Sequence, residues 1–159
     1  MHNSKQNTND TEDDKHEKKR IQNTIARLLS AREHSYLELV RKLSQKEFDT
    51  QLIAASLSEY VDKGLQSDQR YAESFTRTAY AKGKGPSVIN QHLKQHQIDD
   101  AYINTCLKDT AFDWFEAANR VRIKRFGEAL PKDWEAQQKQ KRFLQYRGFY
   151  QEHIDEVFI

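Results

Sequence analysis

Residues 93–107 read LKQHQIDDAYINTCL, with apolar positions Leu93, Ile98, Ile103 and Leu107 separated by gaps of five, five and four. The same gaps occur at Leu43, Phe48, Ile53 and Leu57, and again at Leu144, Phe149, Ile154 and Phe158. Corresponding residues lie 50 and then 51 positions apart. A self-similar period of this length marks stacked helical modules. Each gap has a physical cause. A helix ending in a left-handed cap brings a residue of its last turn against an apolar residue five positions later. A helix beginning with a hydrophobic staple pairs the residue before its cap with one five positions on. The gap of four is one helical turn. Each copy therefore reads as helix, tight turn, helix, with Phe48, Ile98 or Phe149 clamping both ends of the turn. Asp49 and Asp99 stand where the second helix needs its N-cap acceptor.

Composition agrees with that reading. Of 159 residues, 36% are apolar and 31% charged, which suits helices with one buried stripe. Two prolines, five glycines and no strand-length alternation point to an all-α chain. The expected fold is three tandem three-helix modules forming an elongated, curved array. The expected division is a disordered N-terminal tail over 1–20, then modules over 21–66, 67–109 and 110–159. The tail assignment rests on a mixture of Asn, Asp, Lys and Glu with almost no core formers. The single cysteine, Cys106, lies beside Leu107 and reads as a small buried thiol. No apolar run approaches the roughly 20 residues of a membrane span, and MHNSKQNTND lacks the apolar core of a secretion signal. A cytoplasmic protein with no membrane partner is expected.

Further local signals place the remaining helices. Ser35 and Glu38 make a capping box ahead of YLELVRKL, and Gly64 closes the helix that follows Asp49. Ser67 or Asp68 caps QRYAESFTRTAYAK. In KGKGPS (82–87), Pro86 takes the first position of a helix, where its missing donor is harmless. In AFDWFEAANRVRIKRF (111–126), Phe112, Phe115, Ile123 and Phe126 share one arc and Trp114, Ala118 and Val121 another. Arg120 and Lys124 fall between the arcs, on the outer side.

Chemical motifs are sparse. KGKGPS has the glycines and lysine of a phosphate loop but lacks GxxxxGK[ST] spacing and follows a helix, so it reads as a turn. His92 and His96 are one helical turn apart without a third ligand, and read as surface histidines. Asp99-Asp100 is explained by capping. No nucleophile–base set stands out. No catalytic residue, metal or cofactor is expected, and the chain does not read as an enzyme.

Charge is more informative locally than overall. The net charge is +2, but residues 120–147 carry nine basic residues against three acidic ones. Such asymmetry suits an anionic partner, although a solvated helix face also accounts for it. With Leu43, Leu93 or Leu144 turned inward, the opposite faces carry Glu38, Arg41 and Gln45, then Val88, Gln91 and Gln95, then Lys139, Arg142 and Tyr146. Only the third set is basic with an aromatic beside it, a composition suited to phosphates and bases or to an acidic protein groove.

SDQRYAESF (67–75), KGKGPSVINQHL (82–93) and KRFLQYRGFYQEHIDEVF (141–158) together resemble the bacterial RecX regulators, from about residue 23 to the end. The resemblance implies tandem three-helix modules and a protein that binds the filament of the RecA recombinase within its helical groove; a monomer is expected. It further implies suppression there of ATP hydrolysis, strand exchange and the co-protease activity behind the SOS response. The chain departs from the family pattern where Glu47 and Gln97 replace the turn glycine that Gly148 keeps. It also has Val88 and His92 where a basic and an acidic residue are usual. The contact candidates are Arg70, Arg77, Lys82, Lys84, Arg120, Lys124, Lys139, Arg142 and Tyr146. Two alternatives share these residues: a helical module binding single-stranded DNA directly, and a generic helical adaptor.

Overall fold

The computed structural model describes the backbone from Gln6 to Ile159 and side chains from Glu12 onward. Among the described residues there are nine helices and no strand. They are α1 (Gln6–Ala31), α2 (Tyr36–Gln45), α3 (Thr50–Asp62), α4 (Asp68–Ala81), α5 (Pro86–Gln95), α6 (Asp100–Leu107), α7 (Trp114–Phe126), α8 (Trp134–Tyr146) and α9 (Gln151–Val157). The chain divides into two compact units, Met1–Tyr71 and Ala72–Ile159.

In the first unit α1, α2 and α3 pack on one another. Ile21, Ile25, Leu39, Leu43, Ile53 and Leu57 are buried together, with Leu28, Leu29, Phe48 and Leu52 against them. Each fully buried aliphatic side chain contributes about 1.5–3 kcal/mol, so this cluster is the main stabilising term of a small unit. The disordered tail expected over 1–20 needs correction. Residues 1–5 lie outside the described residues, but from Gln6 the chain is helical and continuous with the stripe at Ile21. Tertiary contacts hold its extension: Lys18 pairs with Glu59 at 2.8 Å, Glu17 accepts the Asp49 backbone N–H at 2.9 Å, and the Arg20 guanidinium lies over the Phe48 ring, 5.2 Å from its centroid. Once a helix is nucleated, adding residues costs little. Polar composition alone therefore did not predict disorder.

The aspartate caps form as expected, and Ser35 makes the N-cap half of its expected capping box. Asp49 accepts from the N–H groups of Gln51 and Leu52, and Asp99 from Ala101. Ser35 accepts from Glu38 N–H at 3.1 Å, while the Glu38 carboxylate is held by Arg32 at 3.0 and 2.7 Å. Glu47, Gln97 and Gly148 adopt φ of 63°, 55° and 101°, so the left-handed turn survives without glycine in two copies. Around Gln97 both bonds of a Schellman cap are present, Ile98 N–H to Leu93 O and Gln97 N–H to Lys94 O. Gly148 and Phe149 repeat them with Gln145 and Leu144.

In the second unit α5 packs on α6, and α7, α8 and α9 pack on one another. Ile89, Leu93, Ile98, Ile103, Trp114, Ala118, Leu144, Phe149 and Ile154 are buried. One arc of α7 differs from its expected form. Phe115 is 45% exposed, whereas Arg122 is only 2% exposed. Arg122 donates to the carbonyls of Gly127, Glu128 and Ala129. A buried guanidinium is tolerated because these carbonyls solvate it.

The two tight turns of this unit meet. Gly85 N–H donates to Arg147 O at 2.8 Å, and Ser87 N–H to Gly148 O at 2.9 Å. Two donors at the start of α5, which no intrahelical carbonyl can satisfy, are thus capped by the α8–α9 turn. Arg147 returns the contact, donating to Lys82 O at 2.6 Å and Gly83 O at 3.3 Å. KGKGPS is a turn, as expected, and also half of a seam between the second and third modules.

Candidate functional site

A groove of about 410 Å³ opens beside this seam, lined by the end of α4, by α7 and by α8. Its walls are Ala81, Lys82, Gly83, Arg120, Val121, Lys124, Arg125, Phe143 and Arg147. Helical spacing explains the grouping. Arg120 and Lys124 are four apart on α7, as are Val121 and Arg125, while Phe143 and Arg147 are four apart across the end of α8. Gly83, in a left-handed turn, carries Lys82 to the rim; a Cβ there would lie 2.9 Å from Val121 Cγ2.

The guanidinium groups are held in place. Arg120 pairs with Glu116 at 2.9 Å and lies over the Tyr80 ring, 5.1 Å from its centroid. Arg125 lies over Phe143 at 5.8 Å. Arg147 is fixed by the two α4–α5 carbonyls. Five cations face one concavity whose lining contains no carboxylate. Such a site attracts anions, and its fixed donors spare them much of the ordering cost.

The nine sequence candidates separate into groups. Lys82, Arg120 and Lys124 come together in the groove. Lys139, Arg142 and Tyr146 are exposed along α8, with Tyr146 84% accessible, but do not line the groove. Lys84 is half-buried in the turn. Arg70 belongs to the first unit, where Glu33 at 3.0 Å and Leu65 O at 3.1 Å hold it. Arg77 lines a different cavity of about 400 Å³ with Glu73, Thr76, Cys106 and Asp109. Its carboxylates oppose anion binding there. Burial pushes the Cys106 thiol up, which suits a packed side chain better than a nucleophile.

Sequence reasoning missed Arg125, Phe143 and Arg147. The i, i+4 pair Val121–Arg125 signalled the first. Arg147 carried no signal, because its role depends on a turn more than sixty residues away. Among the described residues no cluster of His, Cys, Asp or Glu could hold a metal ion, and no helix is long and apolar enough to cross a membrane.

Three family models match in order. "RecX, first three-helix domain" matches residues 23–59, the second domain 67–107 and the third 113–158. The chain belongs to the RecX family. The protein "Regulatory protein RecX" of Acinetobacter baylyi is 41% identical over 122 residues, covering 77% of this chain and 76% of that protein. The same-named protein of Halorhodospira halophila is 35% identical over 134 residues, covering 84% and 83%. That of Pseudomonas putida is 38% identical over 137 residues, covering 86% and 88%. Two crystal structures share the fold. One, of a regulatory protein RecX, aligns with TM-score 0.80 at 22% identity over 98% of this chain and 78% of that one. The other, RecX from Lactobacillus salivarius, gives 0.72 at 24% identity over 89% and 94%. The chain is thus an all-helical member of a family of regulatory proteins.

Proposed function

We propose that this chain is a negative modulator of the RecA recombinase that binds the RecA–DNA filament as a monomer. Binding holds back ATP hydrolysis, strand exchange and co-protease activity, with no chemistry performed by the chain itself. Membership of the RecX family across all three modules carries the reading. The cationic groove supports it, because a nucleoprotein filament presents both phosphates and acidic side chains. Contact residues on this reading are Lys82, Arg120 and Lys124 in the groove, with Lys139, Arg142 and Tyr146 on α8.

The test is RecA ATPase on single-stranded DNA with the protein titrated in. Inhibition at or below equimolar amounts is expected, and none would remove the reading. Lys139→Glu with Arg142→Glu is expected to weaken inhibition by about tenfold or more while leaving helicity intact. Unchanged inhibition would take the α8 face out of the contact. The concentration of cations also favours a second reading, direct single-stranded DNA binding. Tight binding without recombinase and a steep salt slope would favour it.

A further inference from the structure

We infer that the groove between the α4 end, α7 and α8 is a binding site for a polyphosphate ligand of nucleoside di- or triphosphate size. Three observations converge on that chemistry. The first is charge. Lys82, Arg120, Lys124, Arg125 and Arg147 share the lining without a carboxylate. Only Arg120 has an ion-pair partner among the described residues, the Glu116 carboxylate. Lys82 and Lys124 thus have ammonium groups free to neutralise a ligand.

The second observation is order. Arg147 is held by the Lys82 and Gly83 carbonyls, and Arg125 is laid over Phe143. Planar guanidinium groups held in this way match phosphate oxygens in forked pairs. The third is size. A volume of about 410 Å³ accommodates a mononucleotide, and Val121 with Phe143 offers an apolar wall for its nucleoside part.

The charge density argues against a carboxylate ligand. Acidic side chains on a peptide are separated by backbone, so a groove this small admits one or two and leaves the other cations unpaired. A terminal phosphate alone carries about −1.5 to −2 near neutral pH, and a polyphosphate adds further charge on contiguous groups. The same chemistry can be supplied by a free nucleotide or by the backbone of a nucleic-acid strand.

The site shares Lys82, Arg120 and Lys124 with the proposed filament contact, and it is tested without recombinase. Calorimetric titration of the full chain with tripolyphosphate, magnesium-free ATP, a short oligo-dT and a glutamate-rich peptide distinguishes the sources. Saturable one-to-one binding of tripolyphosphate and tighter binding of ATP are expected. Lys82→Gln with Lys124→Gln is expected to weaken both by about tenfold or more. Lys46→Gln with Lys108→Gln, at exposed sites elsewhere, leaves them unchanged. Oligo-dT that binds with the same sensitivity and displaces ATP assigns the natural source to a strand and keeps the phosphate site. The inference fails if neither phosphate probe saturates, if the control pair weakens binding equally, or if the acidic peptide displaces both. Because the ATPase assay is not involved, this failure is distinct from failure of the regulatory reading.

Discussion

The seam between the α4–α5 and α8–α9 turns makes a quantitative prediction about three glycines. A Cβ on Gly85 would stand against the Gly148 carbonyl carbon, 2.5 Å from the Gly148 oxygen and from Phe149 N. Those atoms are backbone and cannot rotate away, so the turns must part. Overpacking costs about 1–3 kcal/mol, and the two seam hydrogen bonds at risk contribute about 1 kcal/mol each. Gly85→Ala is therefore expected to cost about 3–5 kcal/mol although its φ is ordinary. Gly148→Ala meets Val88 Cγ2 at 2.6 Å and also forces alanine to φ of 101°, so it reaches at least that range. Gly64 is the control. Its φ is 70° but nothing lies within 4 Å, so Gly64→Ala loses only the left-handed term, about 1 kcal/mol. Urea unfolding with each transition fitted separately gives the comparison, and amide exchange at Gly85 and Ser87 reports the seam directly. If Gly85→Ala unfolds like Gly64→Ala, with those two amides still protected, the close approach is not what requires glycine there.

Two further outcomes follow from local geometry. The ring of His34 is 2% exposed, with one nitrogen on Arg32 O at 3.0 Å and the other receiving Lys42 Nζ at 3.3 Å. His153 Nδ1 accepts the Tyr150 N–H at 3.2 Å. Both arrangements need neutral rings, and burial lowers both pKa values from 6.5. The unfolded chain then binds protons that the native state refuses. Stability is complete above 6.5 and falls as pH drops through the lowered native values. Thermal unfolding should show Tm declining from about pH 7 to about pH 5, with a shallower slope in His34→Gln, and a flat profile would contradict this. Gln97→Gly should stabilise by about 0.5–1 kcal/mol, the relief of φ 55° exceeding glycine's chain-entropy cost. A loss of stability on denaturant titration would show that Gln97 makes compensating contacts.

The module architecture was legible because it repeats short-range physics. Leu93, Ile98 and Ile103 belong to a cap and a staple that act within five residues, so their spacing alone announces helix, turn and helix. The left-handed turn could be read even at Glu47 and Gln97, since clamp positions specify it more firmly than glycine does. Longer-range features were not legible. Arg122 is buried because three loop carbonyls turn toward it, and no periodicity reports carbonyl direction. The helix through residues 6–20 depends on Glu17 reaching Asp49 and Lys18 reaching Glu59. Three of the five groove cations, Lys82, Arg120 and Lys124, were among the candidates. The remainder required knowing that the 82–87 turn and the 147–149 turn touch.

Arg147 ends up with two employments that cannot be separated by substitution. Neutralising it to alter the charge of the groove also removes the donor that ties down the Lys82 and Gly83 carbonyls. Altering the turn also moves the guanidinium. Residue 147 is therefore a pleiotropic position, at which recognition and architecture must change together. Lys124 carries no comparable structural duty, so charge there can be tuned over many sequences without consulting the fold. Engineering of affinity in this chain has its freedom on α7 and its constraint at the end of α8.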